Sequence, residues 1–165
     1  MNYLKSLLQI VVITAGLFFT SESFSQKKDV NFWANRYKYT VPLMFTSGIV
    51  DGHVEILNHK YHKFKEKHPN ANDKFWNPNI SWRNKWKNGD RSQGEKFLLS
   101  STILVSTTDA YHMLRTYEHV STVTAVIIPV AGKRYKFWVY LIDFLVISGS
   151  KSLGFYLTYE LYYEG

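Results

Sequence analysis

From residue 41 onward, long apolar stretches alternate with short polar breaks, a pattern of packed helices rather than strands. In residues 41–64, Val50, Val54, Leu57, Tyr61 and Phe64 recur at spacings of four, three, four and three, which lines them along one face of a helix that Pro69 ends. Ser92 and Glu95 have the spacing of a capping box, so a second main helix is expected from Gln93 to about Tyr117. Residues 120–131 are rich in β-branched side chains and hold Pro129; the stretch reads as a Pro-kinked buried helix, with a strand as the alternative. In residues 137–163 only Asp143, Lys151 and Glu160 are charged. At ~1.5 Å per residue, one unbroken helix there exceeds the roughly 30 Å of a bilayer core. Ser148/Ser152 and Ser150/Gly154 are small-xxx-small pairs that permit close helix approach, whereas a turn at Gly149-Ser150 would split the stretch in two. A short amphipathic helix over residues 29–39, capped by Asp29, presents Phe32, Trp33 and Tyr37 on its apolar side.

The first 25 residues follow a different plan. Lys5 precedes an apolar run over residues 7–19, then a mostly polar stretch with small side chains at Ser23 and Ser25, three and one positions before Gln26. This is the layout of a signal peptide, with an uncleaved N-terminal anchor as the alternative. Residues 26–165 then form a single helical domain, with 58–96 as a polar, basic connection.

Composition narrows the choices. An apolar share of 45% with 11 Phe, 12 Tyr and 5 Trp rules out a disordered chain, and zero Cys removes disulfides, thiol nucleophiles and Cys-type zinc sites. The net charge of +7 is concentrated: residues 58–96 carry ten Lys and Arg against four acids. If residues 41–57, 97–116, 119–132 and 137–162 all cross a bilayer, this basic loop and the Lys133, Arg134, Lys136 turn fall on the same side, as the positive-inside rule asks. Asp51, His53 and Glu55 inside the first span oppose that reading, since an ionised group at mid-membrane costs about 2.5 to 3.5 kcal/mol. The expected fold is therefore all-α, a small membrane-embedded bundle with a basic aromatic loop between the first and second main helices. An exported soluble helical domain is the alternative. In that loop Phe75, Trp76, Trp82 and Trp86 interleave with Arg83, Lys85 and Lys87, which suits anionic lipid headgroups. Export argues against nucleic acid as a partner, and the helix–helix motifs leave room for an oligomer.

Candidate chemistry lies on two helices. Asp51, Glu55, His59 and His62, at spacings of four, four and three, share a face beside the apolar stripe. Asp109 and His112 stand three apart on the second helix. Bundles build metal sites from such carboxylate and imidazole rows, so Glu55, His59, Asp109 and His112 are candidate ligands of a divalent Zn, Mn or Fe ion, with Asp51 or His62 as further ligand or support. Asp109 and His112 are also the candidate catalytic pair, an Asp-oriented general base. Against these stand plainer roles: a solvated polar face for the first helix and a structural ion pair for the second. No Gly-x-Ser-x-Gly elbow, Gly-rich phosphate loop or His-Glu-x-x-His pair occurs.

Ser23-Phe24-Ser25-Gln26, Phe75-Trp76-Asn77-Pro78, Ser81-Trp82-Arg83-Asn84-Lys85-Trp86 and Thr108-Asp109-Ala110-Tyr111-His112 carry a resemblance. Over most of residues 40–163 the chain resembles an uncharacterised family of short exported or membrane proteins of Gram-negative bacteria. The resemblance implies a place in the cell envelope and transfers no functional residue. The expected protein is a small envelope membrane protein of structural or binding role with a buried Glu/Asp/His cluster. It sits in the inner membrane, or in the periplasm if soluble. The alternative is a membrane-associated metal-dependent hydrolase acting on a lipid-linked or phosphorylated substrate.

Overall fold

A computed structural model describes residues 27–131 and 134–165, with side chains from residue 30. The expected signal peptide lies outside the described residues, as does Lys133 of the basic turn. The described residues are all-helical, with no strand among them. They belong to two compact units divided between Lys38 and Tyr39. The first contains helix α1 (Lys27–Tyr37), in which Trp33 and Tyr37, one turn apart, stack at 5.6 Å. Asp29 lies within this helix and not at its cap.

The second unit is organised by helix α2 (Thr40–His59). It ends where Lys60 leaves helical geometry, and α3 (Tyr61–Lys67) follows at once. The first main helix is therefore broken at Lys60, although Val54, Leu57 and Phe64 are buried as their spacing predicts. His68, forced out of the helical region by Pro69, closes α3. Two single-turn helices come next, α4 (Asp73–Trp76) and α5 (Pro78–Ser81). Asn72 and Asn77 cap them by accepting from Lys74 N–H and Asn79 N–H, each at 3.0 Å, and Pro78 occupies the first helical position, where its missing N–H costs nothing.

Residues 82–107 depart from the expected helix. Tight turns lead into a small antiparallel pairing of Trp86 with Glu95, turned by Asn88 and Gly89, both at positive φ. Ser92 and Glu95 do not start a helix, because Gly94 between them has φ +81° and the Glu95 carboxylate reaches forward to Leu99 and Ser101. Ile103–Thr107 is a 3₁₀ turn.

Helix α6 (Ala110–Val130) begins instead at Asp109 and runs without a break to Val130, with Pro129 inside its last turn. The expected second and third spans thus resolve into an irregular segment and one helix. Helix α7 (Phe137–Tyr156) continues into wider π-helical turns over Leu157–Glu164, so no turn forms at Gly149-Ser150. The basic connection and the turn at Arg134 to Lys136 consequently lie at opposite ends of α6, which removes the same-side argument.

Helix α2 packs along both α6 and α7, while α6 and α7 touch each other at few points. One apolar cluster joins Ile56, Leu57, Phe64 and Tyr163, with Trp76 of the basic connection stacked on Phe64 at 5.2 Å; a smaller one holds Met44, Ala125 and Ile147. Glycine sets the α2–α7 approach. A Cβ on Gly48 would lie 2.0 Å from the Lys151 carbonyl oxygen, and one on Gly154 would lie 2.1 Å from that of Phe45. The Ser150/Gly154 motif therefore works through Gly154, opposite a Gly48/Gly52 pair on α2.

Candidate functional site

The close approach at Gly48 delivers the Lys151 side chain of α7 into a polar seam between the three long helices. Lys151 Nζ donates to Glu118 Oε1 of α6 at 2.5 Å and lies 3.4 Å from Asp51 Oδ2 of α2. Arg115, one turn before Glu118, donates to Asp51 Oδ1 at 3.0 Å and reaches Glu55 Oε1 at 3.5 Å and Glu118 Oε2 at 3.7 Å. Asp51 and Glu55, four apart on α2, present their carboxylates on one face, and Arg115 spans them.

Hydroxyl groups extend the seam along the helices. Ser47 Oγ and Thr122 Oγ1 share a 2.8 Å hydrogen bond, and Thr122 also donates to Glu118 Oε1 at 3.2 Å. Glu118 is only 3% exposed. At the rim, His119 Nδ1 stands 2.6 Å from Glu118 Oε2 and His59 Nε2 3.3 Å from Glu55 Oε2. Three carboxylates thus meet two permanent cations, with two histidines at the edge whose protonation would supply further positive charge.

The residues singled out from sequence separate into different roles. Asp51 and Glu55 belong to the seam. His59 is exposed and pairs with Glu55, and His62 is exposed on α3. Asp109, 1% exposed, is the N-cap of α6: its Oδ1 accepts from His112 N–H at 2.9 Å, and Oδ2 lies 2.8 Å from His112 Nδ1 and accepts from Thr108 Oγ1 at 3.0 Å. Burial alone would raise the Asp109 pKa, but the hydrogen bonds from the His112 ring and backbone, the His112 charge and the Thr108 hydroxyl outweigh it and hold the carboxyl below its ordinary range. Glu55, His59, Asp109 and His112 therefore form two pairs. Among the described residues no three His, Asp or Glu side chains are grouped so as to hold a metal ion.

Sequence reasoning missed Arg115 and Lys151 as the cations that face the α2 acids, and Glu118 as the third carboxylate of the seam. A signal was present: Lys151 stands alone in a long apolar run, and a charge in such a place needs a partner.

The basic connection forms a second feature. Arg83 lies over the Trp82 ring at 5.5 Å, and Lys85 and Arg91 each lie 5.8 Å from the Trp86 centroid. Tyr61 and Lys65 both donate to Asp73, at 2.8 and 2.7 Å, tying α3 to α4; burial, then its bond to Asp73, pushes the Tyr61 phenol up to about 12. Compared with family models, with curated proteins and with solved structures, the chain matches none.

Proposed function

We propose that this chain is a small helical protein embedded in the membrane of the cell envelope, with a structural or binding role, whose long helices are clamped together by the ionic seam. One observation carries the reading: the outward faces of α6 and α7 are extensively apolar, while acids and small residues take up much of their buried faces. Along α6, Glu118, Ser121, Ala125 and Pro129 are buried at spacings of three, four and four, while Val120, Val123, Ile127 and Val130 are exposed. Along α7, Asp143, Ile147 and Gly154 are buried, while Phe137, Trp138, Phe144, Leu145 and Leu153 are exposed. Leaving a large aliphatic or aromatic side chain in water forfeits about 1.5–3 kcal/mol each, and an apolar surface this extensive suits hydrocarbon better than water.

Dimensions agree. At ~1.5 Å per residue the 20 residues of α2 and 21 of α6 reach roughly 30 Å, the thickness of a bilayer core. Phe137–Glu164 is the one described helix both long and apolar enough to cross by itself, and only 11% of its most apolar stretch is buried. Helices α2 and α6 carry charges, but those charges face each other across the seam, which answers the objection raised by Asp51 and Glu55. The aromatic, basic connection then sits at anionic headgroups.

The test is extraction. Membranes from cells expressing the full chain, washed with alkaline carbonate, should retain it, and its release should require detergent. Recovery in the carbonate supernatant as a monodisperse protein would overturn the proposal.

A further inference from the structure

Residues 97–104 form an irregular segment whose five apolar side chains face outward, while Ser100 is buried. Leu98 is 80% exposed and Ile103 74%, with Phe97, Leu99 and Leu104 exposed beside them. The segment is nonetheless held in one shape. The Glu95 carboxylate accepts from Leu99 N–H at 3.1 Å, from Ser101 N–H at 3.2 Å and from the Ser101 hydroxyl; Ser100 Oγ donates to the Lys85 carbonyl at 2.7 Å; and Leu104 N–H donates to the Leu99 carbonyl at 2.9 Å. Leu99 is fixed at φ +62°, a left-handed conformation that a leucine adopts at a cost. A chain that stores strain and turns leucine and isoleucine into water gains from the arrangement only when something apolar covers them.

The neighbouring hairpin says what the cover is. Residues 83–96 hold the cations Arg83, Lys85, Lys87, Arg91 and Lys96, and both acids there are turned onto the chain itself: Asp90 accepts from Ser92 and Gln93, and Glu95 forms the clamp just described. Lys96 N–H donates to the Lys85 carbonyl at 3.0 Å, so the cations and the apolar loop share one backbone frame. Exposed apolar side chains on the loop, cations on the adjoining hairpin and an exposed Trp82 beside Arg83 match the acyl, phosphate and interfacial chemistry of an anionic bilayer.

We infer that residues 97–104 are a monotopic wedge, inserting Leu98 and Ile103 into one leaflet of an anionic phospholipid bilayer while the 83–96 hairpin lies on the phosphates. This rests on the membrane reading above and adds to it a second, non-spanning anchor.

The chain contains no cysteine, so single-cysteine variants of the full protein label at one site. Leu98→Cys, Ile103→Cys and, at the hairpin tip, Asn88→Cys are labelled with a fluorophore and reconstituted in phosphatidylcholine vesicles with and without phosphatidylglycerol. The expected result is several-fold weaker iodide quenching at 98 and 103 than at 88, strong quenching by shallow lipid-attached nitroxides, and a loss of this protection when Lys87→Gln and Lys96→Gln are added or the anionic lipid is omitted. Equal iodide access at all three positions in protein that resists carbonate overturns the wedge alone; release by carbonate overturns the membrane reading with it. Self-quenching between labels at position 98, diluted away by unlabelled protein, identifies a second copy as the cover and also overturns the wedge. Circular dichroism matching that of the parent protein separates these outcomes from misfolding.

Discussion

Lys151 and Glu118, joined by a 2.5 Å hydrogen bond, connect two helices whose backbones scarcely meet. Helix α2 lies against both, and besides this pair α6 and α7 meet directly at few points, among them the cluster that holds Ala125 and Ile147. Breaking a buried ion pair from one side costs about 3–5 kcal/mol, because the abandoned charge stays in low dielectric. The Lys151 side chain is partly exposed, so Lys151→Met is expected at the low end, about 3 kcal/mol. Lys151→Met with Glu118→Leu should recover much of that loss, since the orphan carboxylate is gone. A double-mutant cycle from denaturant unfolding in detergent reads the coupling; additive losses would show that the pair does not act as a unit.

The glycine contacts give a steric prediction with its own control. A methyl group at Gly48 or Gly154 meets carbonyl oxygen of the opposite helix near 2 Å, where only backbone displacement relieves the clash. Gly48→Ala and Gly154→Ala should each destabilise the protein by more than about 1–3 kcal/mol, the usual range for overpacking. Gly149, on α7 with Gly154, has nothing within 4 Å of its absent Cβ. Gly149→Ala should be neutral or stabilise by up to about 1 kcal/mol through helix propensity. Thermal unfolding of the three variants in one detergent distinguishes contact from composition.

At the start of α6 the expectation concerns pH. The folded Asp109 carboxyl titrates below its unfolded value, so the stability it confers is complete above about pH 4 and is lost as pH falls through the lower folded pKa. Asp109→Ala should cost about 0.5–2 kcal/mol at neutral pH, as loss of an N-cap does. Asp109→Asn keeps the cap acceptor and should cost less. In both variants the acid-dependent part of the unfolding curve should shrink. A large effect of the Asn variant at neutral pH would show that charge, and not capping, is what Asp109 supplies.

The differences between sequence and structure trace to particular residues. Helix α7 was legible because little in residues 137–163 interrupts it, and the buried line through Val54, Leu57 and Phe64 because helical periodicity is local. The start of α6 was misplaced because Ser92 and Glu95 mimic a capping box. What decides there is Gly94, whose positive φ ends any helix, and a carboxylate that serves residues ahead of it. The acids of the site, Asp51 and Glu55, were visible from spacing. Their cations were not, because Arg115 and Lys151 come from other helices, that of Lys151 brought close by Gly48 and Gly154, and spacing along one helix says nothing of what faces it.

Glu95 offers the most local test of how residues 97–104 keep their shape. Its carboxylate accepts from the Ser101 hydroxyl and backbone and from the Leu99 backbone, which together outweigh its partial desolvation and hold its pKa below the ordinary carboxylate value. Protonation then removes the clamp, so protection of the Leu99 and Ser101 amides should persist above about pH 4.3 and fade as pH falls through the lower folded pKa. Glu95→Gln keeps one acceptor but loses the charge that favours three donors. Hydrogen exchange followed by mass spectrometry should show residues 97–104 opening several-fold faster in the variant at neutral pH, with α6 unchanged. If exchange in 97–104 is the same in both proteins, the loop is held by the Ser100 bond to Lys85 and not by Glu95.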